Sequence, residues 1–421
     1  MRKIAIVIFI LLGCFGGLLA SSATRQARSS NENQSLALVG AKIYPSPTDK
    51  PIVGGVVLIK DGKIIAVGDK SKVRIPKNSR VLDCNGFTLT AGFWNSHVHF
   101  SEPKWQNAGS ISASQLTQQI QEMLTRYGFA HALDTGSELQ NTLAIRRRIE
   151  SGEIPGPSIR TAGIPFVPSQ GSPFYIAPLK LPELATPEEA TKLVRERIVA
   201  GADAIKLFAA SPVSPGKPPV VMPPEIAKAA VSAAHALGKP AVAHPTTNAG
   251  VNVVLESGID ILAHTTPDGM EPWGDDLVRK LRSAGVALAP TLKLWKWEVE
   301  RKGFAPAVVE RFMDIALQQV RAYSQAGGEI LFGTDVGYMT DYDPTDEYLL
   351  MAKAGLSFQQ ILAALTTAPA ARFGAAKLTG RIAPGLDADI VLLAGDPAVD
   401  AKVFSKVRYT LRQGKVIYES K

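Results

Sequence analysis

Eight short apolar runs punctuate the middle of the chain: FWNSHVH at 93–99, then AHALDTG, SIRTAG, AIKLFAA, AVAHP, ILAHT, ALAPTL and ILFGTD. Each has the length of a buried strand, and helical patterns follow most of them. That alternation predicts parallel strands joined by crossover helices. Two helix starts carry capping boxes, Thr186 with Glu189 and Ser357 with Gln360, where each side chain can serve the other residue's backbone N–H. Residues 91–372 match the size that a (β/α)8 barrel needs, about 250 residues or more. The texture differs at both ends. Residues 35–90 hold β-branched or alternating runs (SLALVGAKIYP, GGVVLIKDGKIIAVG, SRVLDCNGFTLT) with Asp61-Gly62 as a hairpin turn. Residues 373–421 return to that texture in ADIVLLAG and KVRYTLRQGKVIYES, with Gln413-Gly414 at a turn. Two β segments at opposite ends of one chain predict a small sheet domain built from both termini.

The first residues are patterned for another purpose. Arg2 and Lys3 precede an apolar stretch over 4–20 that ends in Ser21-Ser22-Ala23, the layout of a secretory signal. Cleavage near Ala23 is expected, giving an exported protein, periplasmic or extracellular, with 24–34 as a polar linker. Lipidation at Cys14, in the LLGC stretch, is the alternative and would attach the protein to a membrane. Removing 1–23 lowers the net charge from +8 to +6. The basic residues are scattered, and the one tight run, Arg146-Arg147-Arg148, reads as a solvated helical face. No nucleic-acid partner is expected. Without Cys14, Cys84 stands alone, so no disulfide forms within the chain, and a buried inert thiol is the reading of its strand-like surroundings.

The chemistry collects at the ends of the apolar runs. His97 and His99 are two apart on a strand, so both imidazoles point to one face, either as ligands for a divalent metal or as two hydrogen-bonded core histidines. His244 and His264 end two further runs. Lys206 sits inside AIKLF, where a cation is costly to bury. It must pair with a carboxylate such as Asp335 or Asp203, snorkel, or lose its proton. Asp335 follows the last run and is either a ligand and proton acceptor or a turn residue. These candidates fall on five strands, which a closed ring makes converge and a doubly wound open sheet does not. In such a ring, functional groups sit at the C-terminal strand ends. Long Pro-rich loops follow the third and fourth runs, at 166–189 and 211–225, and are expected to read substrate. His235 is assigned to packing or a surface hydrogen bond, and His131 receives no role.

Taken together, GFWNSHVHF, GADAIKLF, AHALGKPAVAHPTTNAG, DILAHTT, ALAPTL, LFGTDVG and TGRIAPGLDADIVLLAGDP resemble the amidohydrolase superfamily, in particular its imidazolonepropionase-like and prolidase-like branch. The resemblance covers nearly the whole mature chain. It implies a TIM barrel over 91–372 beside a small β-sandwich formed from 35–90 and 373–421. It further implies two divalent metal ions, zinc by expectation, with His97, His99 and Asp335 holding one and His244 and His264 the other. Lys206, carboxylated by carbon dioxide, would bridge them together with a hydroxide. Three departures stand out: Asn95 and Ala91 replace the usual aspartate and proline, no arginine precedes Asp134 in AHALDTGS, and SQGSPFY lacks the usual Gly-Gly-His.

The expected reaction is hydrolysis of an amide bond in a dipeptide or N-acyl amino acid. Asp335 would shuttle the proton to the leaving nitrogen, and His264 would help polarise the carbonyl. Lactone or phosphotriester hydrolysis on the same centre, and an inactive envelope binding protein, are the competing readings. Asp341, Asp343, Asp346 and Glu347 crowd the loop after the eighth run. They form either an attractor for a basic substrate group or a solvated acidic loop, the usual fate of such runs. Barrels of this kind often pair, which keeps a homo-oligomer open.

Overall fold

A computed structural model describes residues 34–420; the expected signal segment, Cys14 and nearly all of the linker lie outside the described residues. Five strands open the chain: β1 (Leu36–Ile43), β2 (Ile52–Lys60), β3 (Lys63–Asp69), β4 (Arg80–Asp83) and β5 (Thr88–Ala91). Seven strands of three or more residues occupy the middle, beside four two-residue ones: β6 (Phe93–Val98), β7 (Phe129–Asp134), β8 (Ser158–Thr161), β9 (Ile205–Phe208), β10 (Ala241–His244), β11 (Ile261–Ala263) and β12 (Ala287–Ala289). Three close the chain: β13 (Ile390–Leu393), β14 (Val407–Arg412) and β15 (Lys415–Glu419).

The terminal segments meet in one mixed eight-stranded sheet ordered β15-β14-β13-β5-β1-β2-β3, with β4 pairing β1. The joint is the antiparallel pair β5–β13, from Thr88 opposite Leu393 to Ala91 opposite Ile390. Its apolar residues, among them Leu38, Ile43, Val57, Leu89, Ile390 and Leu411, bury one another in a core of their own together with Cys84. Burial pushes the Cys84 thiol up to about 11, which leaves it an inert thiol.

The central strands form a TIM-barrel-like α/β fold. β6-β7-β8 and β9-β10-β11-β12 are two all-parallel sheets. Single parallel backbone bridges continue them: Phe166 with Leu207, Leu288 with Ile330, and Val98 with Val336. The eighth apolar run therefore lies in the expected position but does not form a regular strand. Its ladder is interrupted because the Phe332 N–H turns to Ala364 O at 3.0 Å, in the helix Phe358–Leu365, instead of to a strand neighbour. Trp94, Leu133, Val242, Ile261 and Leu331 form a buried cluster of their own among the central strands, while most helices add to a larger core. Near-continuous burial along β6, β7, β9 and β11 is what strands covered on both faces require.

The caps bear out the local signals with one adjustment. Ser357 and Gln360 form the complete reciprocal box. Thr186 accepts from Glu189 N–H, but the Glu189 carboxylate accepts from Ala185 N–H at 3.0 Å, one residue earlier than the box pattern predicts. The expected solvated arginine face is mostly structural. Arg146 pairs with Asp203 at 2.6 Å, and Arg148 donates to the carbonyls of Ala108 and Ile111; Arg147 alone is exposed.

Candidate metal centre

Strand alternation delivers the first two imidazoles as expected. His97 Nε2 lies 3.3 Å and His99 Nε2 2.7 Å from the same oxygen, Asp335 Oδ1. Neither contact is aligned as a hydrogen bond, and Asp335 Oδ1 and His97 Nδ1 are buried without hydrogen-bond partners. Buried polar atoms rarely go unpaired. Donor atoms that crowd together without bonding one another are aimed at a shared point. His97, His264 and Asp335 each place one ligand atom within 4.8 Å of the others. The His264 ring is 4.7 Å from that of His97 and 4.8 Å from that of His244, centroid to centroid. Lys206 Nζ reaches to 3.5 Å from His97 Nε2. All six residues singled out in the sequence are thus gathered at the C-terminal ends of the strands.

Lys206 is 2% exposed, and among the described residues no carboxylate lies within ion-pair distance of it. Asp203 is engaged by Arg146, which removes one of the two partners anticipated for the lysine. Burial pushes the ammonium down to about 8, against the opposing pull of Asp335 and Asp134. Burial, then Lys206, lowers His97 to about 3, and the same two influences lower the half-buried His244. Burial, with His97 and His244 next, holds His264 well below the ordinary range. The Asp335 carboxyl, which burial alone would raise, is kept well below the usual carboxylate range by His97 and His99. Neutral imidazoles beside an ionised carboxylate are the protonation states that metal ligation demands.

Backbone strain marks the same place. Thr246, His264, Thr291 and Asp335 all have positive φ, between 46° and 75°, and follow β10, β11, β12 and the eighth run. Each such conformation costs a non-glycine residue roughly 1–2 kcal/mol, and clusters of this kind collect at functional sites. Two glycines make room for the second imidazole. A Cβ on Gly337 (φ +95°) would stand 1.8 Å from His99 O, and one on Gly136 would stand 2.7 Å from the His99 ring.

Residues the sequence reading passed over support the cluster. Asn95, noted only as a departure, donates to Thr334 Oγ1 at 2.7 Å and accepts from the N–H groups of His97 and Thr334, tying β6 to the eighth run. Thr291 Oγ1 lies 2.6 Å from His264 Nδ1. His264 therefore has one ring nitrogen left for the centre, so ligation and direct polarisation of a carbonyl compete for it. Tyr338 donates to Glu298 at 2.8 Å and stacks edge-on with Tyr175 and Trp297 at 5.7 and 6.0 Å. Tyr175 comes from the long loop after β8, one of the two expected to read substrate.

The acidic loop is neutralised from within. Asp341 pairs with Lys293 at 2.8 Å and Asp346 with Lys296 at 2.7 Å, while Glu347 is fully buried. Of its two readings, the attractor for a basic substrate group loses these charges. The solvated loop holds for Asp341 and Asp343, which are exposed, while Asp346 is half-buried against Lys296 and Glu347 is withdrawn from water. His235 makes the expected surface hydrogen bond, to Asp260 at 2.8 Å. His131 is buried against Asp389 at 3.0 Å.

A family model described as the amidohydrolase family matches residues 88–417. An ochratoxinase from Aspergillus niger is 24% identical over 432 residues, spanning 92% of this chain and 88% of its own. Among solved structures, a Xaa-Pro dipeptidase with bound methionine superposes with a TM-score of 0.78 at 21% identity, covering 92% of this chain and all of that one. A putative prolidase from Bifidobacterium longum gives 0.77 at 24% identity, covering 92% and 95%.

Proposed function

The chain belongs to the amidohydrolase family, hydrolases of amide bonds, and from that premise we propose a two-metal enzyme that cleaves a dipeptide or N-acyl amino acid. The observation that carries this reading is the convergence of His97, His264 and Asp335 on one point with orphaned donor atoms, with His99, His244 and the buried Lys206, which has no carboxylate partner, packed beside them. His97, His99 and Asp335 would hold one divalent ion, zinc by preference, and His244 and His264 the other. A Lys206 amine that had lost its proton would add carbon dioxide, release a second proton and so supply a carbamate anion as a further ligand for the ions. Bound there, the ions would acidify water and polarise the scissile carbonyl.

The protein's own groups perform the rest. Asp335, ionised and buried, takes a proton from the attacking water and returns it to the departing nitrogen. A lactone or phosphotriester would pass that proton to a departing oxygen instead, so assays with those substrates separate the competing readings. The edge-stacked rings of Tyr175, Tyr338 and Trp297 offer aromatic faces to an apolar residue of the substrate. In the same reading the central strands close into a full (β/α)8 barrel and the terminal sheet folds as a small sandwich around Leu38 and Ile390. The pattern over 1–23 supports export, to the periplasm or beyond, with Cys14 lipidation as the anchored variant.

Elemental analysis of protein purified without chelator tests the proposal, with wild type and Lys206→Ala in parallel. Two ions per chain in the wild type, falling clearly in the variant, are expected. One ion or none after reconstitution with zinc and bicarbonate would overturn the bridged two-metal centre. A panel of dipeptides, N-acyl amino acids, lactones and phosphotriesters then reads the bond cleaved.

A further inference from the structure

We propose that Thr291 and Glu347 are a positioning pair that sets the tautomer of His264 and so decides which of its ring nitrogens faces the centre. The inference rests on the reading of His264 as a metal ligand.

Thr291 immediately precedes the helix Leu292–Arg301. A threonine there ordinarily turns its hydroxyl onto the N–H groups of the first turn. This one does not: it makes no side-chain cap and adopts φ 46°, ψ 50°. For a β-branched residue that is a genuine outlier, which persists only where the surroundings enforce it. Its hydroxyl instead lies 2.6 Å from His264 Nδ1 and 2.9 Å from Pro290 O. A carbonyl can only accept, so the hydroxyl donates its proton to Pro290 O and accepts from His264 Nδ1–H. The proton on Nδ1 leaves Nε2 as a bare lone pair on the side of the His97 and His244 rings.

A helix start stripped of its cap must be served from elsewhere. Glu347 does this from the helix Thr345–Lys353, 54 residues along the chain, accepting the Lys293 N–H at 2.6 Å. It is fully buried, and its second oxygen has no hydrogen-bond partner. The Lys293 ammonium is clamped beside it by Asp341 Oδ2 at 2.8 Å and by the carbonyls of Asp341 and Asp343. By capping the helix, Glu347 releases Thr291 to hold the imidazole. An ordinary N-cap threonine turns its hydroxyl over the first turn of its own helix, the direction that Thr291 gives up to face His264. A ring fixed by its remote N–H in this way is how metal-binding histidines are oriented, and loss of such partners costs on the order of 10–100-fold in affinity.

The test has two readouts. Histidine-selective ¹⁵N NMR of the metal-free protein, with the His264 signal assigned by its loss in His264→Asn, reads the tautomer directly. Competition with a chromophoric chelator reads zinc affinity in the wild type, Thr291→Ser, Thr291→Val and Glu347→Ala. The expected result is an Nδ1–H tautomer in the wild type and in Thr291→Ser. Thr291→Val, of the same shape but without the hydroxyl, should show a mixture and lose roughly 10–100-fold in zinc affinity. Glu347→Ala, which leaves the helix start unserved, should draw the Thr291 hydroxyl back to the first turn and show a similar mixture and loss, and a folded Glu347→Ala with unchanged tautomer and affinity overturns the role given to Glu347. An Nε2–H tautomer in the wild type overturns the proposal, as does a folded Thr291→Val with unchanged tautomer and affinity. Should Thr291→Val fail to fold, the wild-type tautomer and Thr291→Ser still decide. A wild type with the expected tautomer that binds no zinc would instead sink the metal-site reading on which this one rests.

Discussion

Two buried histidine–aspartate contacts occupy opposite ends of the central strands. At the strand starts, His131 meets Asp389 at 3.0 Å and Thr379 at 3.3 Å, and it stacks on Trp94 at 4.3 Å. Asp389 also accepts the Gln413 N–H at 2.8 Å. That contact links a central strand to the terminal sheet, and among the described residues none of its side-chain atoms is buried without a hydrogen-bond partner. At the strand ends, His97 and His99 crowd Asp335 at similar distances. There the contact atom is orphaned, the backbone of Asp335 is in the left-handed region, and a further lysine and two histidines press in. Residue types are the same; satisfaction is the difference. A matched pair is already at its electrostatic minimum and serves packing, whereas an unmatched one is built for a group that the protein does not itself supply.

The largest effect separating the two ends should come from Asp335→Asn. Turnover on the best dipeptide of the panel is expected to fall by two to four orders of magnitude, roughly the range for a lost general acid–base. Unchanged turnover would place Asp335 beside Asp389 as a structural residue. Next in size is a stability contrast. His131→Ala strands Asp389 as a buried unpaired charge and should cost about 3–5 kcal/mol, read from denaturant midpoints, with zinc content unaltered. His97→Ala, measured metal-free, should cost less while abolishing zinc at its site. The reverse order would erase the distinction between the two ends of the strands. A smaller perturbation is Gly136→Ala, whose Cβ would fall 2.7 Å from the His99 ring. It should lower zinc affinity by roughly tenfold or more with the circular dichroism spectrum kept; full affinity would show that the ring has room to move.

The mildest test uses pH. Burial pushes Glu347 up to about 7 from an ordinary value of 4.5, despite the N–H groups of Lys293 and Leu292 that favour its charged form. Folding therefore takes up a proton between those values. The stability this contributes is fully present below about pH 4.5 and is lost as pH rises through 7. Glu347→Gln should flatten that part of the stability curve, as urea melts at stepped pH would report. A persisting slope in the variant would assign it to another group.

Much of this protein is decided locally. Eight apolar runs, a change to alternating β texture at both ends and the Ser357–Gln360 box are legible because hydrophobic period and capping act over a few residues. The six ligand candidates are legible for a related reason: polar side chains at the ends of buried runs must have partners, and imidazole, carboxylate and amine together limit what those partners are. Partnership over long distance is decided only by the tertiary structure. His131 finds Asp389, Asn95 finds Thr334 and the acidic loop finds Lys293 and Lys296 because packing brings together strands and helices that are tens to hundreds of residues apart. The same holds for the eighth run, whose ladder yields to a helix carbonyl. Threonine before a helix announces a cap, and only the fold, by supplying Glu347 for that duty, turns Thr291 toward His264. A chain encodes which groups need satisfying; which neighbour satisfies each depends on where the whole chain has packed.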